Sequence, residues 1–284
     1  MEVATKEQVR KATNGLYGVG IIILAIFFFA GAVMISSTKL YAQDFALIDA
    51  DGSFHQMSYY SNYEQIAIMT ASAQSSEDAK LRFSSTTIGE VGQKTKFFFL
   101  NPTGESRDTE QNNVYDDIPM LMDDAKIVSK ALGLTQLNEV VYMDTGTMEV
   151  GYRTVLEEGE PIETDWGEPS YVNDIAPILI DNCVTCHRYG GIGPWAMNNH
   201  PIVQAFSPAI ADALLTKWMP PGQLDPVVGE FSNDMNLTNE EQQKLIQWIA
   251  NGSPGDYTEL MVTFIVAISS IRTRSSSRVR CARN

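Results

Sequence analysis

The chain has 284 residues and a mass of 31.4 kDa, enough for two ordinary domains, and its 44% hydrophobic residues with 12 Phe, 11 Tyr and 4 Trp exclude wholesale disorder. Acidic residues outnumber basic ones by 35 to 20, a formal charge of −15, and so acidic a surface repels phosphate backbones and speaks against nucleic-acid binding. Cysteines occur only at 183, 186 and 281, which excludes a disulfide-rich scaffold.

The charge is unevenly spread. Residues 1–13 carry three basic and two acidic side chains, 38–169 nine and 23, 170–257 three and nine, and 258–284 five and one. These shifts divide the chain into a short N-terminus (1–13), an apolar segment (14–37), a first domain (40–160), a linker (161–169), a second domain (170–257) and an atypical tail (258–284).

From Leu16 to Ile35 runs LYGVGIIILAIFFFAGAVMI, without a charge. As a helix it spans about 30 Å, the hydrocarbon thickness of a bilayer. Lys6, Arg10 and Lys11 precede it, so the positive-inside rule predicts a cytoplasmic N-terminus and export of everything after about residue 38. The predicted location is therefore the cytoplasmic membrane, single-pass, with the soluble domains in the periplasm or outside. A cleaved signal peptide is the competing reading, because Ala30-Gly31-Ala32 has the small-x-small form of a cleavage site.

Residues 40–160 read as mixed strand and helix. DFALIDADGSF (44–54) alternates into an Asp51-Gly52 turn, Ile66–Met69 and Lys96–Leu100 are apolar strands, and Asp123–Leu132 has helical spacing closed by Gly133. Val140–Met143, a turn at Asp144-Thr145-Gly146, and Met148–Tyr152 form a final hairpin. The opening hairpin, the FFFLN strand and VVYMDTGTMEVGYR together resemble a thioredoxin-like domain of the redoxin type. That resemblance implies an α/β fold with redox cysteines near 70–76 and a proline near 138. The stretch after the first central strand is instead TASAQSS, and position 138 is Asn. Thiol–disulfide exchange needs a thiolate, and residues 1–182 contain no cysteine, so this domain is expected to be a redox-inactive docking or spacing module, not a thiol–disulfide oxidoreductase. His55 reads as a surface hairpin residue, and Asp116, Asp117, Asp123 and Asp124 as solvated carboxylates.

Cys183-Val184-Thr185-Cys186-His187 is the C-x-x-C-H pattern of c-type haem attachment. Two thiols three residues apart on a helical turn can add to the two vinyl groups of one haem, and the next residue offers its imidazole to the iron. A zinc site would need a fourth ligand, and a redox-active C-x-x-C a thioredoxin strand before it. Met219, in TKWMPPG, is the leading candidate for the second axial ligand because paired prolines fix the backbone beside it; Met197 and Met235 read as packing residues and His200 as a solvent-facing turn. Thr238-Asn239-Glu240-Glu241 is a capping box opening a last helix, with Trp248 expected on its haem side. YVNDIAPILIDNCVTCHRYGGIGPW, KWMPPG and FSNDMNLTNEEQQKLIQWIANGSP resemble an all-α, monohaem cytochrome c-like domain. The resemblance implies one covalent haem c, attached through Cys183 and Cys186, with iron held by His187 and Met219.

The combined expectation is a multidomain, membrane-anchored cytochrome that relays single electrons to redox partner proteins. The alternatives are a haem subunit of an oxidative enzyme and a haem-based sensor or assembly factor.

Overall fold

The computed structural model describes residues 44–73, 75–86, 94–105, 107, 118–225, 228–229, 231–232 and 234–256. The expected N-terminus (1–13), anchor (14–37) and tail (258–284) lie outside the described residues, as do Asp116 and Asp117. Among the described residues, no helix is long and apolar enough to cross a membrane.

An antiparallel hairpin opens the described chain, β1 (Ala46–Ile48) paired with β2 (Phe54–Gln56) across the expected Asp51-Gly52 turn. Gly52 sits at φ +87°, where a side chain would be strained. After a 3-10 turn (Met57–Tyr60) come β3 (Gln65–Thr70), α1 (Glu77–Ser85), β4 (Thr95–Asn101), β5 (Met120–Met122), α2 (Ile127–Leu132), β6 (Glu139–Asp144) and β7 (Val150–Val155). The main sheet has the order β5-β4-β3-β6-β7, with β5, β4 and β3 parallel and β6 and β7 antiparallel. That order makes this part of the chain a thioredoxin-like α/β fold.

Side chains alternate across the sheet as a strand period of two requires. Ile66, Ile68, Phe98 and Leu100 face one core, and Ala67, Met69, Phe97 and Phe99 face a second one against Phe83 of α1. The free edge at β5 is covered by the opening hairpin, where Ala50 donates its N–H to the Met120 carbonyl.

The remaining helices are α3 (Ala176–Asn182), continuous with a wide turn at Tyr171–Ile175, then α4 (His200–Ala205), α5 (Ser207–Leu215) and α6 (Asn239–Ala250). The capping box of α6 forms as read: the Thr238 side chain accepts from Glu241 N–H, and the Glu241 carboxylate accepts from Thr238 N–H. Buried Leu245, Ile246, Trp248 and Ile249 face a core that is continuous with the first face of the sheet. The 161–169 segment, expected as a linker, is mostly exposed yet anchored: Lys130 Nζ donates to the Thr164 carbonyl (2.7 Å), and Trp166 N–H donates to Gln247 Oε1 (3.3 Å).

Candidate cofactor site

The turn carrying Cys183, Cys186 and His187 grows directly from the end of α3. Pro177 fits its first turn, where no N–H partner is needed, and Ile178 and Leu179 bury its inner face. At its C-terminus Cys183 and Val184 both donate N–H to the Leu179 carbonyl at 2.8 Å, and Cys186 and His187 then donate to Cys183 O at 3.1 and 2.9 Å. The motif is thus one hydrogen-bonded turn with all three side chains presented from it, and both thiols are unpaired. Burial, with smaller effects from Cys186 and Glu241, pushes the Cys183 thiol up to about 12. A thiol so poorly ionised is a weak nucleophile for disulfide exchange.

The glycine-rich loop after the motif folds back over His187. Met197 N–H donates to His187 O at 2.8 Å and Gly193 N–H to Cys186 O at 2.9 Å. The imidazole Nδ1 lies 3.1 Å from the Trp195 carbonyl oxygen. A carbonyl only accepts, so the ring proton sits on Nδ1 and the Nε2 lone pair stays available to a metal. Space explains the glycines: a Cβ on Gly193 would stand 2.8 Å from His187 Nδ1, and one on Gly191 2.3 Å from Cys186 O. Trp195 meets the imidazole edge-on at 5.2 Å and stacks on Phe206 at 4.3 Å.

Met219 lies on a different loop, after α5. Trp218 and Met219 both donate N–H to the Ala213 carbonyl, Lys217 takes φ +56°, and Gln223 Nε2 donates to the Lys217 and Pro220 carbonyls. Met219 is 41% exposed and Trp218 79%, while on the loop after the motif Tyr189 is 77% and Ile192 85% exposed. Among the described residues no three His, Cys, Asp or Glu side chains gather into a metal cage.

Three residues differ from their sequence reading, each because the fold gives its polar atoms protein partners. His200 is no solvent-facing turn: it is 3% exposed, its Nε2 lies 2.9 Å from the Ser253 carbonyl, and its ring packs on Tyr171 and Trp248. His55 is no surface residue: Nε2 lies 2.7 Å from Asp49 Oδ2 and Nδ1 2.5 Å from Tyr60 Oη. With Asp49 accepting from Nε2–H, Nδ1 is the acceptor for the Tyr60 hydroxyl, a three-residue chain that ties the hairpin to the following turn. Asp123 is not solvated but buried, accepting from Val128 N–H, Ser129 N–H and Ser129 Oγ–H at the start of α2. Burial outweighs those bonds and pushes its carboxyl up to about 6. Trp248 is fully buried against Tyr171, with Nε1 donating to the Pro254 carbonyl, and Met197 is buried as expected of a packing residue.

At the place where the thioredoxin resemblance implied redox cysteines, Ser72 N–H donates to Ser75 Oγ at 3.0 Å and Ser76 caps α1. Asn138, where a proline was implied, donates its N–H to the Thr70 carbonyl at 2.9 Å and has φ +63°. Proline could supply neither.

No protein-family model matches the chain, and no curated protein does either. Among solved structures it is similar to an exposed lipoprotein thioredoxin from Streptococcus pneumoniae (16% identity, 39% of this chain and 88% of that one, TM-score 0.35). It is also similar to a hypothetical protein from Sinorhizobium meliloti (18%, 43% and 72%, TM-score 0.36) and to peroxidoxin BcpB from Mycobacterium tuberculosis (13%, 42% and 85%, TM-score 0.33). Each likeness covers less than half of this chain, and the fold assignment rests on the strand order above.

Proposed function

We propose that the chain is a membrane-anchored monohaem c-type cytochrome that relays single electrons on the outer side of the cytoplasmic membrane, with its thioredoxin-like part as a docking or spacing module. The observation that carries the reading is the turn at 183–187: two unpaired thiols three residues apart, followed by an imidazole whose Nδ1 is engaged by a backbone carbonyl. Cys183 and Cys186 would hold haem covalently through their sulfurs, and His187 and Met219 would hold its iron. When bound, the group supplies reversible one-electron exchange between ferric and ferrous iron. The Trp195 carbonyl fixes the orientation of His187 and raises its basicity, and the glycines at 191 and 193 let the loop close on the ring. The exposed Tyr189, Ile192, Trp218 and Met219 suit a flat apolar group that would cover them.

The anchor at 14–37 and export of the remainder belong to the same proposal, since haem attachment of this kind takes place outside the cytoplasm. Redox inactivity of the α/β part is supported by TASAQSS and by the serine hydrogen bonds that occupy the expected cysteine positions. Replacing Cys183 and Cys186 by Ala should abolish covalent haem staining of the denatured chain; staining that persists would sink the assignment.

The exposure of Met219 favours one second reading, a haem enzyme subunit or sensor whose sixth position opens to a small molecule. Carbon monoxide separates the two. Unmutated ferrous protein that resists it supports the relay, and ready binding supports the second reading.

A further inference from the structure

A second feature lies away from the cysteine turn. A half-open cavity of about 460 Å³, within the roughly 300–1,000 Å³ typical of small-molecule sites, lies where β1 and α2 of the sheet part meet α5 and the segment leading into α6. Leu47, Phe54, Leu214 and Leu224 supply apolar wall.

Its polar groups are mostly engaged. Arg107 pairs with Asp225 at 2.6 Å, Asn236 Nδ2 donates to the Leu224 carbonyl, Gln242 Nε2 to the Leu237 carbonyl, and Gln223 Nε2 to the Lys217 and Pro220 carbonyls. Asp234 accepts from Asn236 and Leu224 N–H, and Asp123 accepts from the α2 backbone. Two lining groups stand apart. The half-buried Lys217 ammonium is attracted by Asp123 and Asp124 but makes no hydrogen bond or ion pair with a described residue, and the exposed Asp124 carboxylate at the rim, attracted by Arg107 and Lys217, likewise has no hydrogen-bond donor among them.

We infer that this cavity binds a small zwitterion with an apolar side chain, an amino acid of the leucine type. Lys217 receives its carboxylate, Asp124 its ammonium, and the leucine and phenylalanine wall its side chain. A simple anion would face the Asp123 and Asp124 charges, and a simple cation would face Lys217 and Arg107; a ligand bearing both signs satisfies Lys217 and Asp124 together. The inference does not depend on haem.

The test is thermal unfolding and calorimetric titration of the full-length protein with L-leucine, isovalerate and isoamylamine, the last two each lacking one charged group. Leucine should raise the melting temperature and saturate, and each analogue should bind about tenfold or more weakly, as expected for loss of one charge-assisted hydrogen bond. Asp124→Asn, at the exposed rim, should remove the leucine effect in a protein that still unfolds cooperatively. Lys217→Met should also remove it, and Lys217→Arg should retain part of it. No response to leucine at about 10 mM, where even a weak millimolar site would fill, overturns the inference. So does isovalerate or isoamylamine matching leucine, or a leucine response intact in Asp124→Asn.

Discussion

Gly193→Ala tests whether the loop really closes on the imidazole of His187. The new Cβ would stand 2.8 Å from Nδ1, 2.9 Å from Cγ and 3.0 Å from Cys186 O. Carbon contacts are comfortable at about 3.5–4.0 Å, so the ring must withdraw by roughly 0.7 Å. That movement takes the 3.1 Å hydrogen bond to the Trp195 carbonyl beyond useful length. Losing the bond costs about 1 kcal/mol and overpacking a further 1–3 kcal/mol, so the variant should be about 2–4 kcal/mol less stable. Urea denaturation followed by tryptophan fluorescence measures this, with Gly151→Ala as control because nothing lies within 4 Å of its Cβ. In the haem-loaded protein the same change should lower the low-spin fraction by misaligning His187. If Gly193→Ala matches Gly151→Ala in both stability and spectrum, the described loop geometry is wrong.

The folded Asp123 carboxyl titrates near 6, above its unfolded value, so its contribution to stability is fully present below about pH 4 and is lost as pH rises through 6. The lost amount is on the order of 3 kcal/mol, and Asp123→Asn should flatten the stability profile between pH 4 and 7; profiles that run parallel would show that the carboxyl does not titrate there. Thr238→Ala removes the capping box of α6 and should cost about 1 kcal/mol in chemical denaturation while leaving any haem spectrum unchanged. His55→Ala strips Asp49 and Tyr60 of their shared partner and should destabilise by about 2–3 kcal/mol, and an unchanged melting curve would mean the three-residue chain contributes nothing.

The elements most legible in the sequence were those whose signals are local. The Asp51-Gly52 hairpin, the β3 and β4 runs, the Asp144–Gly146 turn and the Thr238–Glu241 capping box all encode their geometry within a few residues. β5 was missed because Met120–Met122 is too short to show a period and becomes a strand only by pairing with Phe99–Asn101. The helix expected over Asp123–Leu132 begins only at Ile127, because Lys126 takes φ +57° and Asp123 serves as a side-chain cap from outside.

The cysteine turn was legible because its three reactive groups are adjacent in sequence. What positions them was not: the Trp195 carbonyl comes from beyond the glycine loop, and no residue pattern advertises a backbone acceptor. His55, Asp123 and His200 were misread because polar residues look solvated until the fold turns a partner onto them, from five or six residues away for His55 and Asp123 and from much farther for His200. Ser253 is 53 residues from His200. The cavity beside Lys217 is wholly a product of packing between segments far apart in the chain, and its one local hint, a lysine beside the proline loop, is indistinguishable from a surface charge.

The central claim is the covalent haem at the 183–187 turn, and the most direct test is the intact mass of the denatured chain after expression with export and haem-attachment machinery, read beside its alkaline pyridine spectrum. One haem added to the chain mass, surviving acid-acetone extraction and absent from the Cys183→Ala, Cys186→Ala double variant, is the predicted result. A chain at its bare mass, or haem that extracts freely into acid-acetone, would contradict it.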